Sequence, residues 1–204
     1  WIGFSQYRKH WFKKKENKKI TNFQDFSSKL LKEIPKELNN YESILGEPFF
    51  VNQFRLSKFI KKNLNAMIKD PSLFFNKNKR NLIFNFDMMH GHGNLMKAVE
   101  LLDSSEKNDF INFLKSSVSF NPHNMFICKS KKILKSYYES LFPWLIKCEK
   151  IFGFDLHGYD FKRIYGFLAE RYMSYWFQKY TKFKLMPIAF KDISDFGWFK
   201  DLYK

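Results

Sequence analysis

Cysteine is nearly absent from this 204-residue chain. Cys128 and Cys148 are its only two, too few for a disulfide scaffold or a four-cysteine zinc site. Both sit in apolar stretches, where a thiol behaves as a small core hydrophobe. Glycine and proline are sparse as well, at 8 and 6 residues, which leaves no room for linkers or low-complexity segments. The longest apolar runs, such as Pro48–Val51 and Leu141–Ile146, fall far short of the roughly 20 residues that span a bilayer. Arginine is scarce too: among 36 basic residues only Arg8, Arg55, Arg80, Arg163 and Arg171 are arginines. Bidentate reading of base edges leans on arginine, so sequence-specific DNA binding is not expected, and no nucleic-acid partner is. Neither G-x-G-x-x-G, a P-loop, G-x-S-x-G nor H-E-x-x-H occurs, which removes the usual signatures of dinucleotide, nucleoside-triphosphate, serine-hydrolase and zincin chemistry.

What the chain does have is aromatic side chains and lysine. Hydrophobic residues make up 45% and aromatics 20%, enough to exclude disorder despite the charge. The length predicts one domain over residues 1–204. The net charge of +16 comes from lysines scattered from Lys9 to Lys204. The densest cluster is Lys13-Lys14-Lys15 with Lys18-Lys19, flanked by Trp11 and Phe12. Such a cluster can hold a protein on an anionic inner-membrane surface at about 1 kcal/mol per basic residue, although a solvated loop is the commoner fate of a charge run. The opening Trp-Ile-Gly-Phe runs straight into polar and charged residues, unlike a secretory leader. A start at Trp1 predicts that the chain is a piece of a longer one.

The apolar periodicity predicts a helix-rich α/β fold with few strands. Trp1–Phe4 reads as the end of a buried strand. Phe23–Leu38 reads as a helix, with Pro35 near its end. Tyr41–Val51 suits a short strand interrupted by Gly46 and Pro48, and Gln53–Ile68 a helix. Asp70-Pro71 opens a short turn or helix. Phe84–Met89 leads into the loop His90-Gly91-His92-Gly93-Asn94, read as joining a strand to a helix that carries Leu95–Leu102. Ser104-Ser105-Glu106 is expected to break that helix and Asn108–Leu114 to resume it. Asn121–Asn124 is a turn before the central strand Met125–Cys128. Ser130 caps a helix over Lys131–Phe152, kinked at Pro143. Tyr165–Tyr180 is the last strong helix, and Lys184–Ala189 adds a terminal strand.

Two places carry candidate chemistry. His90 and His92, with glycines between and after them, form a loop suited to presenting imidazoles and backbone amides to an anionic or hydroxylated ligand. Zinc is the weaker reading, because the spacing matches none of the recognised patterns. Glu170, amid apolar residues beside Arg171, is either a structural ion pair or a catalytic acid–base group, two readings the residues alone leave even. The aromatic stripes are core.

Three ordered segments resemble one family. Trp1-Ile2-Gly3-Phe4-Ser5-Gln6-Tyr7-Arg8-Lys9-His10-Trp11 is similar to its first signature. Pro122-His123-Asn124-Met125-Phe126-Ile127-Cys128-Lys129, with Tyr137-Tyr138 and the following Leu141-Phe142-Pro143-Trp144-Leu145, is similar to its second. Gly166-Phe167-Leu168-Ala169-Glu170-Arg171-Tyr172 is similar to its third. The family is that of bacterial capsular and exopolysaccharide biosynthesis glycosyltransferases with an HYRR–NMF–ERL signature domain. His90–Leu102 is more loosely similar to a histidine loop of that family. The chain departs from the first signature at two positions, with Gln6 in place of histidine and Lys9 in place of arginine.

The resemblance implies a GT-A-like, Rossmann-related fold lacking its N-terminal strand–helix units. It implies transfer of a sugar from a nucleotide-diphosphate donor to a growing capsular or exopolysaccharide or a lipid-linked glycan acceptor. The expected place is the cytoplasm, peripheral to the inner membrane. By analogy with that architecture, the strand at Ile2–Phe4 would end in a metal-binding Asp-x-Asp. Here the place reads Gln6-Tyr7-Arg8 and offers no carboxylate, so transfer without a divalent metal or other cofactor is expected. Arg8 is then the diphosphate clamp, Tyr7 packs on the donor, and Gln6, His90, His92 and Arg171 complete the donor site. His123 and Asn124 recognise sugar hydroxyls, and Glu170 is the catalytic base. The alternative is a non-catalytic basic module that binds anionic lipid or polysaccharide.

Overall fold

A computed structural model describes residues 1–15, 20–53 and 71–192. The elements in chain order are β1 (Ile2–Gly3), β2 (Lys9–Trp11), α1 (Phe23–Lys29), β3 (Ser43–Gly46), β4 (Phe49–Phe50), α2 (Leu82–His90), α3 (Asn94–Val99), α4 (Ser104–Ser116), β5 (Ser119–Phe120), β6 (Phe126–Cys128), α5 (Lys131–Phe152), α6 (Tyr159–Lys162), α7 (Ile164–Tyr180), β7 (Phe183–Met186) and β8 (Ile188–Phe190). The fold is mixed α/β. It divides into two compact units, residues 1–47, 123–134 and 177–204 in the first, and 48–122 and 135–176 in the second. Both are assembled from separated stretches of chain, so no single linear boundary marks them.

The first unit is built on a mixed sheet in the order β1-β6-β3-β7. β6 lies antiparallel to both β1 and β3, in the registers Ile2↔Cys128 and Ile44↔Ile127, while β7 runs parallel to β3. Every residue of β3 and β6 is buried, as continuous apolar runs in central strands require. The expected central strand at Met125–Cys128 is therefore present. Ile2–Gly3, by contrast, is an edge strand only partly covered. Trp11, Leu38, Met125 and the β7 residue Met186 form one core cluster with Ile44 and Ile127. β2 and β8 form a separate antiparallel ribbon. At Gly46 a Cβ would run into the end of the Ile188 side chain, so the glycine leaves room for that side chain of the ribbon as it lies.

Helix α1 is shorter than the predicted span of residues 23–38. Asn22 caps it by accepting the Asp25 N–H at 2.8 Å, but the chain turns extended at Leu30. There the backbone is taken by the preceding segment: Lys13 N–H donates to Lys29 O at 3.0 Å and Leu31 N–H to Trp11 O at 2.8 Å. Strand-like pairing wins over helix propensity because it buries Trp11 and Phe12. Those two side chains are core, so they are not apolar flanks of the exposed lysines at 13–15. The terminal segment forms two strands, β7 and β8, where one was expected.

Among the described residues the second unit is helical apart from the short β4–β5 pair. Its centre is Phe110 on α4, fully buried and ringed by Tyr175 at 5.0 Å, Tyr172 at 5.4 Å and Trp144 at 6.0 Å between ring centroids. Trp144 satisfies its indole N–H on Ala98 O at 2.7 Å, as a buried indole must. Ser104-Ser105-Glu106 is not a break but the first turn of α4, whose Glu106 and Lys107 amides donate to Asp103 O at 3.0 Å. The segment before His90 is helix α2, not a strand. α5 occupies the predicted span, is capped through Ile133 N–H to Ser130 Oγ at 3.3 Å, and continues through Pro143. α7 matches its prediction within a residue. Residues 54–68 of the predicted Gln53–Ile68 helix lie outside the described residues.

Both cysteines are free and buried. Burial pushes the Cys128 thiol up and that of Cys148 up to about 12, so neither supplies a thiolate near neutral pH. Among the described residues no helix is long and apolar enough to cross a membrane. Phe110→Ala empties the aromatic centre of the second unit and should lower stability by about 3–5 kcal/mol in urea denaturation, with Phe110→Leu losing less than half as much.

Candidate functional site

In the first unit two tight turns touch each other. Gln6 and Lys9 close the first, with Lys9 N–H donating to Gln6 O at 3.0 Å, and this forces Arg8 into the left-handed region at φ 64°. The second turn places His123 at φ 81° and Asn124 at φ 51°. These three are the positive-φ non-glycine residues among the described residues. A side chain held there costs about 1–3 kcal/mol, and such strain gathers at functional sites.

Polar contacts bind the two turns. Gln6 Nε2 donates to the His123 carbonyl. Lys9 Nζ donates to Gln6 Oε1 at 2.9 Å and lies 2.9 Å from His123 Nδ1. Burial, and secondarily the Lys9 charge, lowers the His123 pKa from 6.5 to about 4, so its imidazole is neutral at physiological pH. Arg8 points elsewhere: its guanidinium lies 4.8 Å from the Tyr7 ring centre and 5.6 Å from that of Phe190, and pairs with Asp192 at 3.5 Å. Tyr7 is 78% exposed. The sequence reading found no carboxylate at this turn. The fold supplies one from 184 residues down the chain, because β8 runs beside β2 and Lys191 N–H donates to Arg8 O at 2.9 Å.

In the second unit the pair on α7 is buried. Arg171 is only 3% exposed. Its Nη1 reaches Glu170 Oε2 at 3.2 Å, its Nη2 donates to Asn85 Oδ1 at 3.0 Å, and its guanidinium lies 3.8 Å from the centre of the Phe120 ring. Desolvation lowers the Arg171 pKa from 12.5 to about 10, opposed by the Glu170 charge. The Glu170 side chain is 12% exposed, paired with its cation and still in reach of solvent. Ser174, one turn on, accepts the Asn121 N–H at 2.8 Å, so α7 also anchors the start of the Asn121–Asn124 segment.

The two loop histidines separate. His90 closes the last turn of α2, 4% exposed, stacked on Phe167 at 3.9 Å and edge-on to Phe86 at 4.7 Å. It is a core residue of a helix rather than a ligand-presenting loop residue, which corrects its assignment to the donor site. His92 is the reverse, its side chain 94% exposed and its Nδ1 3.0 Å from Asp87 Oδ2. Asp87 also accepts the Gly93 N–H at 3.0 Å. Burial raises the Asp87 pKa, and the Gly93 bond and His92 oppose the rise. Among the described residues no three histidine, cysteine or carboxylate side chains converge as a metal-binding group. Sequence reasoning passed over Lys9, Asn85 and Asp192. Lys9 had a signal in replacing the signature arginine; Asn85 and Asp192 had none.

Fold and turns together define a mixed α/β protein with a strained, cationic turn pair. The chain belongs to the family described as a domain of unknown function, DUF4422, which it matches over residues 1–182. No curated protein and no solved structure matches it.

The depressed His123 pKa has a consequence for stability. Between about pH 4 and 6.5 the unfolded chain binds a proton at this histidine that the folded chain does not, so stability should fall as pH drops through that window and be complete above it. Urea midpoints measured from pH 7 to 4 should show the decline, and His123→Gln should flatten it.

Proposed function

We propose that this chain is a GT-A-like glycosyltransferase domain that moves a sugar from a nucleotide-diphosphate donor onto a capsular or exopolysaccharide or a lipid-linked glycan. The observation that carries the reading is the contact of the first two signature segments, which lie 117 residues apart in sequence and meet through Gln6, Lys9 and His123. Strained turns joined by polar side chains are a pattern that gathers at functional sites, which supports a binding role here.

In this reading Arg8 clamps the donor diphosphate. Its side chain is nearly half exposed, and an incoming diphosphate exchanges for Asp192 as its counter-ion, gaining bidentate charge-assisted bonds. Tyr7, already beside that guanidinium, supplies an exposed face for the donor. His123 and Asn124 meet sugar hydroxyls. Glu170, paired with Arg171, takes the proton of the acceptor hydroxyl as the sugar–phosphate bond breaks. Arg8 does the work of a diphosphate-bound cation, so transfer needs no divalent metal. The enzyme works at the cytoplasmic face of the inner membrane, held there by charge. The competing reading, a basic module docking on anionic lipid, keeps the exposed Lys13–Lys15 but loses Trp11 and Phe12, which are buried.

A panel of nucleotide sugars screened by thermal shift tests the reading, since a donor at a hundred times its Kd adds about 2.7 kcal/mol. One nucleotide sugar should stabilise the protein with EDTA present, and Arg8→Ala should weaken that donor by about tenfold or more. Glu170→Gln should lower kcat by about 10²–10⁴ with donor affinity unchanged. Strict dependence of transfer on manganese or magnesium, or no stabilisation by any donor, contradicts the proposal.

A further inference from the structure

A lysine ammonium has three N–H donors and no acceptor. Lys9 Nζ lies 2.9 Å from both Gln6 Oε1 and His123 Nδ1, so each of those atoms must accept. Gln6 fits this without ambiguity, because its Nε2 donates to the His123 carbonyl and its Oε1 is thereby turned to the ammonium. An Nδ1 that accepts carries no hydrogen, and the proton of a neutral imidazole then sits on Nε2. The backbone leaves the ring little freedom to escape, with His123 and Asn124 both held at positive φ.

We propose that Lys9 is a positioning residue that locks His123 as the neutral Nε2–H tautomer, so that this histidine meets an oxygen of its ligand only as a hydrogen-bond donor and never as a base. The assignment of the ligand as a sugar rests on the glycosyltransferase reading above; the tautomer does not. Within that reading the lock has a mechanistic result. Proton abstraction is denied to the histidine of the second signature, while a sugar hydroxyl or phosphoryl oxygen is selected over a donor group at the same place. Lys9 also explains how Gln6 can stand where the family signature has a histidine: the glutamine amide both tethers the lysine and holds the facing turn.

Long-range ¹⁵N–¹H correlation spectra of the full chain, recorded from pH 8 to 5, test this. The expected result is a single His123 ring pattern at pH 7, with the proton on Nε2 and an unprotonated, hydrogen-bonded Nδ1. Lys9→Met should turn it into a mixture of tautomers and let the ring protonate at higher pH, though not fully to the ordinary histidine value because burial persists. Lys9→Arg, which still donates, should keep the native pattern. A lysine that is merely structural would change stability and leave the ring signature alone. Should Lys9→Met fail to fold, Gln6→Leu, which removes the lysine's other tether, should move the pattern in the same direction by less. An Nδ1–H or doubly protonated ring at pH 7 in the wild type overturns the proposal, as does a native pattern in Lys9→Met. A nucleotide-sugar panel that finds no donor overturns the enzymatic reading and leaves the tautomer assignment standing.

Discussion

The pairing of β6 with β1 on one side and β3 on the other is the contact on which the first unit depends. Three residues, Phe126–Cys128, accept partners from both ends of the first fifty residues, and all three are buried. That pairing fixes the chain on both flanks of the site. It lays Ile2–Gly3 against the strand, so the next residues must turn back at Gln6–Lys9. It also sets the start of β6, so residues 123 and 124 must turn sharply into it. The two turns then meet because the strands they serve are neighbours. Strain at Arg8, His123 and Asn124 is sustained by the sheet, whose hydrogen bonds and core burial outweigh a few kcal/mol of unfavourable backbone.

The second unit has its own constraint, a buried guanidinium. Placing Arg171 out of water is expensive unless its donors are met and its charge is balanced. Glu170 and Asn85 take donors from Nη1 and Nη2, and the Phe120 ring faces the guanidinium at 3.8 Å, a cation–π contact that gains strength in a desolvated place. Replacing Glu170 would strand a charge in the interior, and replacing Asn85 would leave a buried N–H without its acceptor. Glu170 is therefore half of a structural ion pair that holds the Arg171 charge inside the helical unit. Of the two readings that a carboxylate among apolar residues leaves open from sequence, the ion pair is the one the fold displays.

The lysines lie along the whole chain, and the arginines with defined partners are few and specialised. Arg8 is nearly half exposed and lightly held by Asp192 at 3.5 Å, while Arg171 is sealed in the core. The same residue type thus serves as an exchangeable cation on a turn and as an immobile one inside a helical unit. Solvent access separates the two roles, because an exposed pair in high dielectric exchanges partners cheaply and a buried one does not.

Long periodic segments were legible in the sequence. α5 and α7, the central strand β6 and the Asn121–Asn124 turn all stand where apolar spacing and turn residues put them, because their stabilising contacts follow from patterns local to each segment. The aromatic stripes were legible as core for the same reason. Tertiary structure alone decided the rest. It stopped α1 at Lys29 by giving the next residues strand partners around Trp11, and made a helix of the segment before His90. It sent that histidine into the core and His92 into solvent. It also carried Asp192 to Arg8 and Lys9 to His123. Spacing along the chain encodes which face a side chain takes; it does not encode which distant segment arrives opposite, and the contacts that join the two turns are made across such a meeting.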